Sequence, residues 1–587
     1  MVGSSRREAA LLSSTHTPPL RQRIAARLAT GRGATGAGLA LLALALVIGL
    51  ATASDYGFTI DEFNTDDYGP KALAWYTSGF MDRSHFETVE EWLWAYGPWF
   101  QIVVAAVQAT HLFDPVTARH ALTFLVGLAG LAALLPLARY TVGRWAAPAA
   151  ILLCLTTGYI YGHLFFTPID VPFMAAMTWA TLAVVVMAAQ PVPTWRATIL
   201  AGLATGLAIA TRTGGILTHG YLFGAMALCA LEVVARRDRP LGPALTQIAL
   251  RAGAVVVLAW LTAIALWPWL QIGNPFRQFA IAFEHFRTIQ TPFTFLHWGE
   301  TVATDDLPAS YIPMQLLARL PEGFLLLLVA AAGIALMSAV MFLRDVATGY
   351  RRRGIDGLRN PALALARSRG VLVVMVAALF PPAYIALQET TLYDGIRHIF
   401  FVLPLLALLA AGALLKLAPI ILASRLATAT AAALVALHLA TTLPELVRLH
   451  PLQYVATNSL TGGTAGAHGR FELDYWSAAG TTALRKLERE LAADPRYAVT
   501  PARVVVCIPY REMMIAPLRR RPEARFWRQE TDLNKADFMI GTERWNCGQD
   551  VAGASVIDEV RRQDRDFAWT YAGGHGRKPS ESTVGAP

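Results

Sequence analysis

A chain of 587 residues that is 55% hydrophobic and only 16% charged, with a mean hydropathy of +0.42, is too apolar for a soluble globular protein and must sit in a bilayer. The net charge of +9 does not signal nucleic acid, because the basic residues are confined to a few short segments between apolar runs, which is the positive-inside bias of a membrane protein. Cys154 and Cys229 fall in apolar segments, whereas Cys507 and Cys547 fall in a polar tail, where a disulfide requires an oxidising compartment.

Residues 1 to 33 are polar and carry Arg6, Arg7, Arg21, Arg23, Arg27 and Arg32, which reads as a disordered cytoplasmic extension. Residues 34 to 53 form the first span, an uncleaved anchor. The loop that follows, 54 to 99, holds nine Asp or Glu against two Lys or Arg, the reverse of the whole chain. Its Asp61-Glu62 pair suits a base-catalysed transfer at a membrane surface, since one carboxylate can take a proton while neighbours hold it in place. An acidic, solvated loop is the plainer reading. The run from Pro98 to Phe113 is short for a span and carries Gln101, Gln108 and His111, so it reads as a helix along the outer surface. Residues 118 to 138 then cross to Arg139 and Arg144, and 146 to 161 return, which places Asp170 in the same compartment as Asp61.

The charges continue to agree. Residues 171 to 189 go in; 198 to 211 come out as a short helix; 214 to 234 go in to Arg236-Arg237-Asp238-Arg239; 248 to 270 come out to a loop over 271 to 318. Residues 319 to 343, 370 to 387, 399 to 415 and 422 to 442 complete about eleven spans, with the N-terminus cytoplasmic. The transmembrane domain is thus expected over 34 to 443 and an extracytoplasmic region over 444 to 587. In that tail, 477 to 494 reads as an amphipathic helix, 502 to 507 as a buried strand, and 538 to 541 and 567 to 571 as further strands of a small α/β domain. Residues 578 to 587 read as a frayed end. The expected fold is therefore an all-α polytopic membrane protein with a small C-terminal extracytoplasmic α/β domain.

Four outward motifs carry chemistry. Besides Asp61 and Glu62, the run from Tyr161 to Phe173 contains His163 and sets Asp170 at a helix mouth. Arg212 lies between two short apolar helices, and an arginine at such depth usually faces a partner or a wet cavity. Tyr393-Asp394-Gly395-Ile396-Arg397-His398 adds a second guanidinium beside an aromatic ring. Arginine grips phosphate oxygens bidentately and a carboxylate can deprotonate an attacking hydroxyl, so the set suits a phosphate-bearing lipid donor and a hydroxyl acceptor.

These residues resemble the GT-C glycosyltransferases, in particular the bacterial relatives of protein O-mannosyltransferases and lipid A aminoarabinose transferases. Asp61-Glu62 resembles the first-loop acidic motif, His163 to Phe173 the second-loop motif, and Arg397-His398 with Phe401-Val402-Leu403-Pro404 the late motif. Thr167 and Ile169 depart from the Asn and Lys common in the second motif, so a lysine contact to the donor phosphate is absent there. The stretch 462 to 476 also looks like a segment of this subgroup, without an assigned role.

The resemblance implies an inverting transfer from a polyprenyl-phosphate sugar to a protein, glycan or lipid acceptor, in the plasma (inner) membrane. In it, Asp61 or Glu62 is the base and Asp170 orients the acceptor or a metal. Arg212, Arg397 and His398 would hold the donor phosphate, and His163, Tyr393 and Asp394 would contact substrate. A divalent metal ion is left open, because Asp170 alone is a thin ligand set and the spacing of His285, His297 and Glu300 fits no strong pattern. Three plainer readings stand beside these: Arg212 pairing with a loop carboxylate, Arg397-His398 as an interfacial anchor, and His163 as a structural hydrogen-bonding residue. The rival function is a multi-span transporter or flippase of a lipid-linked sugar, which would gather its charges near the midplane on broken helices.

Overall fold

The computed structural model describes residues 31–86, 93–287, 293–387, 391–508 and 522–573. Most of the expected N-terminal extension and the frayed end at 578 to 587 lie outside the described residues. Among the described residues nine helices are long and apolar enough to cross a membrane. The helices Ala146–Thr156 and Gly158–Phe166, bent by 76° across Thr157, make a tenth if taken as one span. The remaining difference from the eleven expected is Trp195–Ile209, whose 15 residues rise about 22 Å, short of the ~30 Å hydrocarbon core.

Packing separates the spans into two kinds. Asp170–Met187 and Leu403–Ala423 lie in the middle of the bundle, where Ala175, Ala176 and Ala180 on one and Ala407, Ala410 and Ala411 on the other are buried and let neighbouring backbones come close. Glu322–Arg353 and Arg425–Leu449 are peripheral, with Leu326, Val329, Leu336, Leu434 and Leu437 exposed, as a lipid-facing surface requires. The run expected as a surface helix forms Trp99–Gln108 and packs on Ile60–Thr77 at Gly69, where a Cβ would stand 2.7 Å from the carbonyl oxygen of Gln101.

Two sheets follow. The segment after the Pro275–Arg287 helix forms a hairpin of β1 (Thr294–His297) and β2 (Glu300–Ala303), within the stretch 271 to 318 expected as a loop. In the C-terminal domain β3 (Ala502–Val506) lies parallel to β4 (Trp527–Gln529) and β5 (Phe538–Thr542). Then β6 (Ser555–Arg562) and β7 (Arg565–Ala572) continue antiparallel in the order β4-β3-β5-β7-β6. The Ala478–Ala493 helix covers the sheet with Leu484, Leu487 and Leu491. Cys507, just past β3, is disulfide-bonded to Cys547, just past β5.

This domain is seated on the first loop. The Ile60 N–H donates to Trp476 O at 3.3 Å, Thr481 Oγ1 bonds both Phe58 N and Phe58 O, and Arg485 donates to Ser54 O and Asp55 O. The stretch 462 to 476 bridges hairpin and domain, with Gly299 N donating to Arg470 O and Glu472 N to Leu296 O.

Candidate active site

The two carboxylates of the first loop part company. Thr59 caps the helix Ile60–Thr77 and Glu62 closes a capping box: its Oε2 accepts from Thr59 N at 2.8 Å and Thr59 Oγ1 at 2.9 Å. Its Oε1 lies 2.9 Å from His120 Nε2, and the side chain is fully buried. Glu62 therefore holds the start of the helix and does not line the cavity beside it. Asp61, one residue and about 100° earlier on the helix, faces that cavity and pairs with Arg397. Asp66 pairs with buried Arg119, which also donates to Thr65 Oγ1 at 2.6 Å, fixing this helix against Pro115–Ala132.

Arg212 is placed by the helix break expected there. Trp195–Ile209 ends at Ala210, Arg212 is extended at φ −148° and ψ 151°, and a short turn leads into Leu217–Arg236. Its guanidinium pairs with Asp170 at the first turn of Asp170–Met187, and lies 5.4 Å from the Tyr96 ring and 5.9 Å from that of Phe173. The first loop reaches this turn because residue 97 is glycine. A Cβ there would stand 1.5 Å from Ala210 O, and the Gly97 N–H donates to Thr211 O at 3.3 Å. Gln101 Nε2 donates to Pro168 O at 2.6 Å, holding the approach to Asp170.

Arg397 opens a short 3-10 segment before Leu403–Ala423. Ahead of it Asp394 and Gly395 both take positive φ, 58° and 71°. Tyr159 Oη accepts from Ile396 N at 3.1 Å and Tyr311 Oη donates to Gly395 O at 2.9 Å, fixing that reversal. Arg397 stacks over Tyr393 at 4.7 Å, and its Nη2 lies 3.3 Å from Asp394 Oδ2. The Tyr393 ring meets His398 edge-on at 4.8 Å.

Asp61, Asp170, Arg212, Tyr393, Asp394, Arg397 and His398 line one cavity of about 550 Å³. His163, expected at the substrate, does not. It is fully buried, with Nδ1 2.6 Å from Tyr159 O and Nε2 3.0 Å from Tyr475 Oη, so it ties the bent helix to the tail. Tyr96 and three residues of the tail, Glu472, Arg544 and Trp545, also line it and carry no motif in the sequence. A tyrosine or tryptophan beside a loop glycine was the only local signal for Tyr96, and Arg544 had none.

Electrostatics in the cavity is balanced in pairs. Burial pushes the Asp394 carboxyl up, against the opposing pull of Arg544 and Arg397. Burial likewise raises Glu472 to about 7, again opposed first by Arg544. The donor set does not fit a resident divalent ion. Asp61, Asp170, Asp394 and Glu472 each face a guanidinium, and among the described residues no group of three His, Cys, Asp or Glu could hold a metal. His285, His297 and Glu300 form no such group either.

The fold is similar to that of ArnT from Cupriavidus metallidurans bound to undecaprenyl phosphate, at 15% identity and a TM-score of 0.43 over 94% of this chain and 100% of that one. The same protein in its apo state gives 15% and 0.44, over 92% and 98%. The archaeal oligosaccharyltransferase AglB from Archaeoglobus fulgidus, in complex with an inhibitory peptide and a dolichol-phosphate, gives 13% and 0.41 over 85% of this chain. This chain spans 65% of AglB. No protein-family model and no curated protein sequence matches the chain. At these scores the likeness carries no argument about chemistry, for which the cavity's own residues have to answer.

Proposed function

We propose that this protein is an integral membrane glycosyltransferase that moves a sugar from a polyprenyl-phosphate donor to a hydroxyl acceptor on the extracytoplasmic face, with inversion. The observation that supports this most is the convergence of two carboxylate–guanidinium pairs, Asp61 with Arg397 and Asp170 with Arg212, on one cavity from four separate parts of the chain. A lipid phosphate suits this cavity because Arg212 and Arg397 can each present a guanidinium fork to phosphate oxygens. The extracytoplasmic side is favoured by the Cys507–Cys547 disulfide in the domain that covers the cavity and by the Arg-rich segments at Arg236 to Arg239 and Arg351 to Arg353.

In this reading the donor phosphate draws Arg397 and Arg212 away from their carboxylates, since a phosphate oxygen competes with Asp61 and Asp170 for the same forks. Asp61, released, takes the proton of the acceptor hydroxyl as its oxygen bonds to the anomeric carbon. The bond from that carbon to the phosphate oxygen breaks on the opposite side, and the charge that develops on the departing lipid phosphate meets Arg212 and Arg397. Asp170 orients the acceptor, and Tyr393 and Tyr96 give flat apolar surface to the sugar.

The test is transfer of radiolabelled sugar from a panel of polyprenyl-phosphate sugars by membranes holding wild type, Asp61→Asn or Asp170→Asn at equal protein levels. Label reaching an acceptor in wild type but lost with Asp61→Asn supports the reading and names the donor. Equal transfer by wild type and Asp61→Asn sinks it.

A further inference from the structure

The transferase reading leaves the C-terminal domain without a task, although Glu472, Arg544 and Trp545 line the cavity. Arg544 sits on the turn that follows β5, closed by Thr542 N donating to Trp545 O at 2.7 Å. Three residues further on, the disulfide from Cys547 to Cys507 pins the turn to the end of β3. The Arg544 side chain is 17% exposed, and its guanidinium lies 5.1 Å from the rings of both Phe293 and Trp545. Its Nη1 donates to Asp394 Oδ1 at 3.1 Å and to Tyr475 O at 2.9 Å, and its Nε lies 3.0 Å from Glu472 Oε1.

Asp394 divides its two oxygens between two arginines. Oδ1 faces Arg544 and Oδ2 faces Arg397, whose other nitrogen pairs with Asp61. Charges therefore alternate from the C-terminal domain to the first loop in the order Glu472, Arg544, Asp394, Arg397, Asp61. A carboxylate with both oxygens free would accept a bidentate fork from Arg397. With Oδ1 taken by Arg544, only one nitrogen of Arg397 is engaged by Asp394 and the other stays turned toward Asp61.

We infer that Arg544 is a positioning residue of the transfer site: by occupying Asp394 Oδ1 it keeps Arg397 directed at Asp61 and the donor phosphate, so the C-terminal domain completes the site. This rests on the transferase reading. Arg544 acts through Asp394 and bonds no reacting atom, and the disulfide serves by holding the turn that carries it.

The experiment compares the purified full-length protein with Arg544→Gln, Arg544→Lys, Asp394→Asn and the double variant Arg544→Gln/Asp394→Asn, measuring kcat and KM for the polyprenyl-phosphate sugar that wild type uses. Arg544→Gln is expected to lower kcat/KM for the donor by about 10- to 100-fold, in line with small misplacements of catalytic groups. Arg544→Lys keeps a charge at Asp394 and is expected to recover part of that loss, which a role in folding alone would not predict. The double variant is expected to be no worse than Asp394→Asn alone, because both act along one route. Wild-type kcat/KM in Arg544→Gln overturns the inference, and so does a double-variant loss equal to the product of the single losses. Should Arg544→Gln fail to fold, the split between Arg544→Lys and wild type decides: equal kcat/KM overturns the inference and a raised donor KM supports it. A wild type that transfers no sugar from any donor marks failure of the transferase reading itself, and this inference falls with it.

Discussion

Gly97→Ala is a perturbation that touches none of the reacting groups yet should disable the site. The added Cβ would stand 1.5 Å from Ala210 O and 2.3 Å from Ala210 C, both backbone atoms, where real Cβ atoms keep at least 3.0 Å. The first loop and the Ala210–Arg212 turn must therefore separate by roughly 1.5 Å, and neither is a flexible side chain that can swing aside. That separation breaks the bond from Gly97 N to Thr211 O and draws Tyr96 off the Arg212 guanidinium. A displacement of about 1 Å at a catalytic group can cost ~100-fold, equal to about 2.7 kcal/mol of transition-state stabilisation, and overpacking adds about 1–3 kcal/mol of destabilisation. The assay is kcat/KM for sugar transfer beside the melting temperature in the same detergent. The expected result is a loss near 100-fold with a protein that still melts cooperatively. Wild-type transfer by a folded Gly97→Ala protein would refute the claim that this contact sets the position of Arg212.

Other expectations separate the roles of neighbouring residues. Asp61→Asn should lower kcat by about 10²- to 10⁴-fold with little change in melting, whereas Glu62→Ala should keep most of kcat in folded protein and lose about 1–3 kcal/mol of stability, since buried donors of Thr59 and His120 lose their acceptor, read by paired activity and thermal-melt measurements. Arg212→Lys keeps the charge but loses the planar fork, so donor KM should rise at least about tenfold while acceptor KM holds, measured with each substrate varied in turn. Glu472 is raised by burial to about 7 from 4.5, so the folded state binds its proton more tightly than the unfolded one. Its contribution to stability is present below about pH 4.5 and is lost as pH rises to 7, up to ~3 kcal/mol in all. The difference in melting temperature between Glu472→Gln and wild type should accordingly grow from pH 5 to about pH 7.5, and a pH-independent difference would contradict the assignment. Cys507→Ser/Cys547→Ser frees a 40-residue separation and should cost about 3–4 kcal/mol of domain stability, read by melting with and without reductant.

Most of the bundle was legible in the residues, because a span of about twenty apolar residues announces itself by composition alone and needs no partner to be recognised. The role of Glu62 was also written there, since Thr59-Ile60-Asp61-Glu62 has the spacing of a capping box, although two adjacent carboxylates equally fit acid–base chemistry. The helix Ala478–Ala493 and strands β3, β5 and β7 were legible from their periodicity, whereas the β1–β2 hairpin, four residues a side and docked on 470 to 472, was too short to declare itself. Which residues face one another was set by packing across the whole chain. Asp61 and Arg397 are 336 positions apart and Asp394 and Arg544 are 150 apart, so no local pattern couples them. His163 is a similar case, its ring turned toward Tyr475 by a bend at Thr157 that hydropathy does not register. Hydropathy reports how each segment meets the solvent or the bilayer, a property of the segment. The pairing of charges in a cavity depends on the closure of loops hundreds of residues long, and that is settled only when the helices and the C-terminal domain have packed.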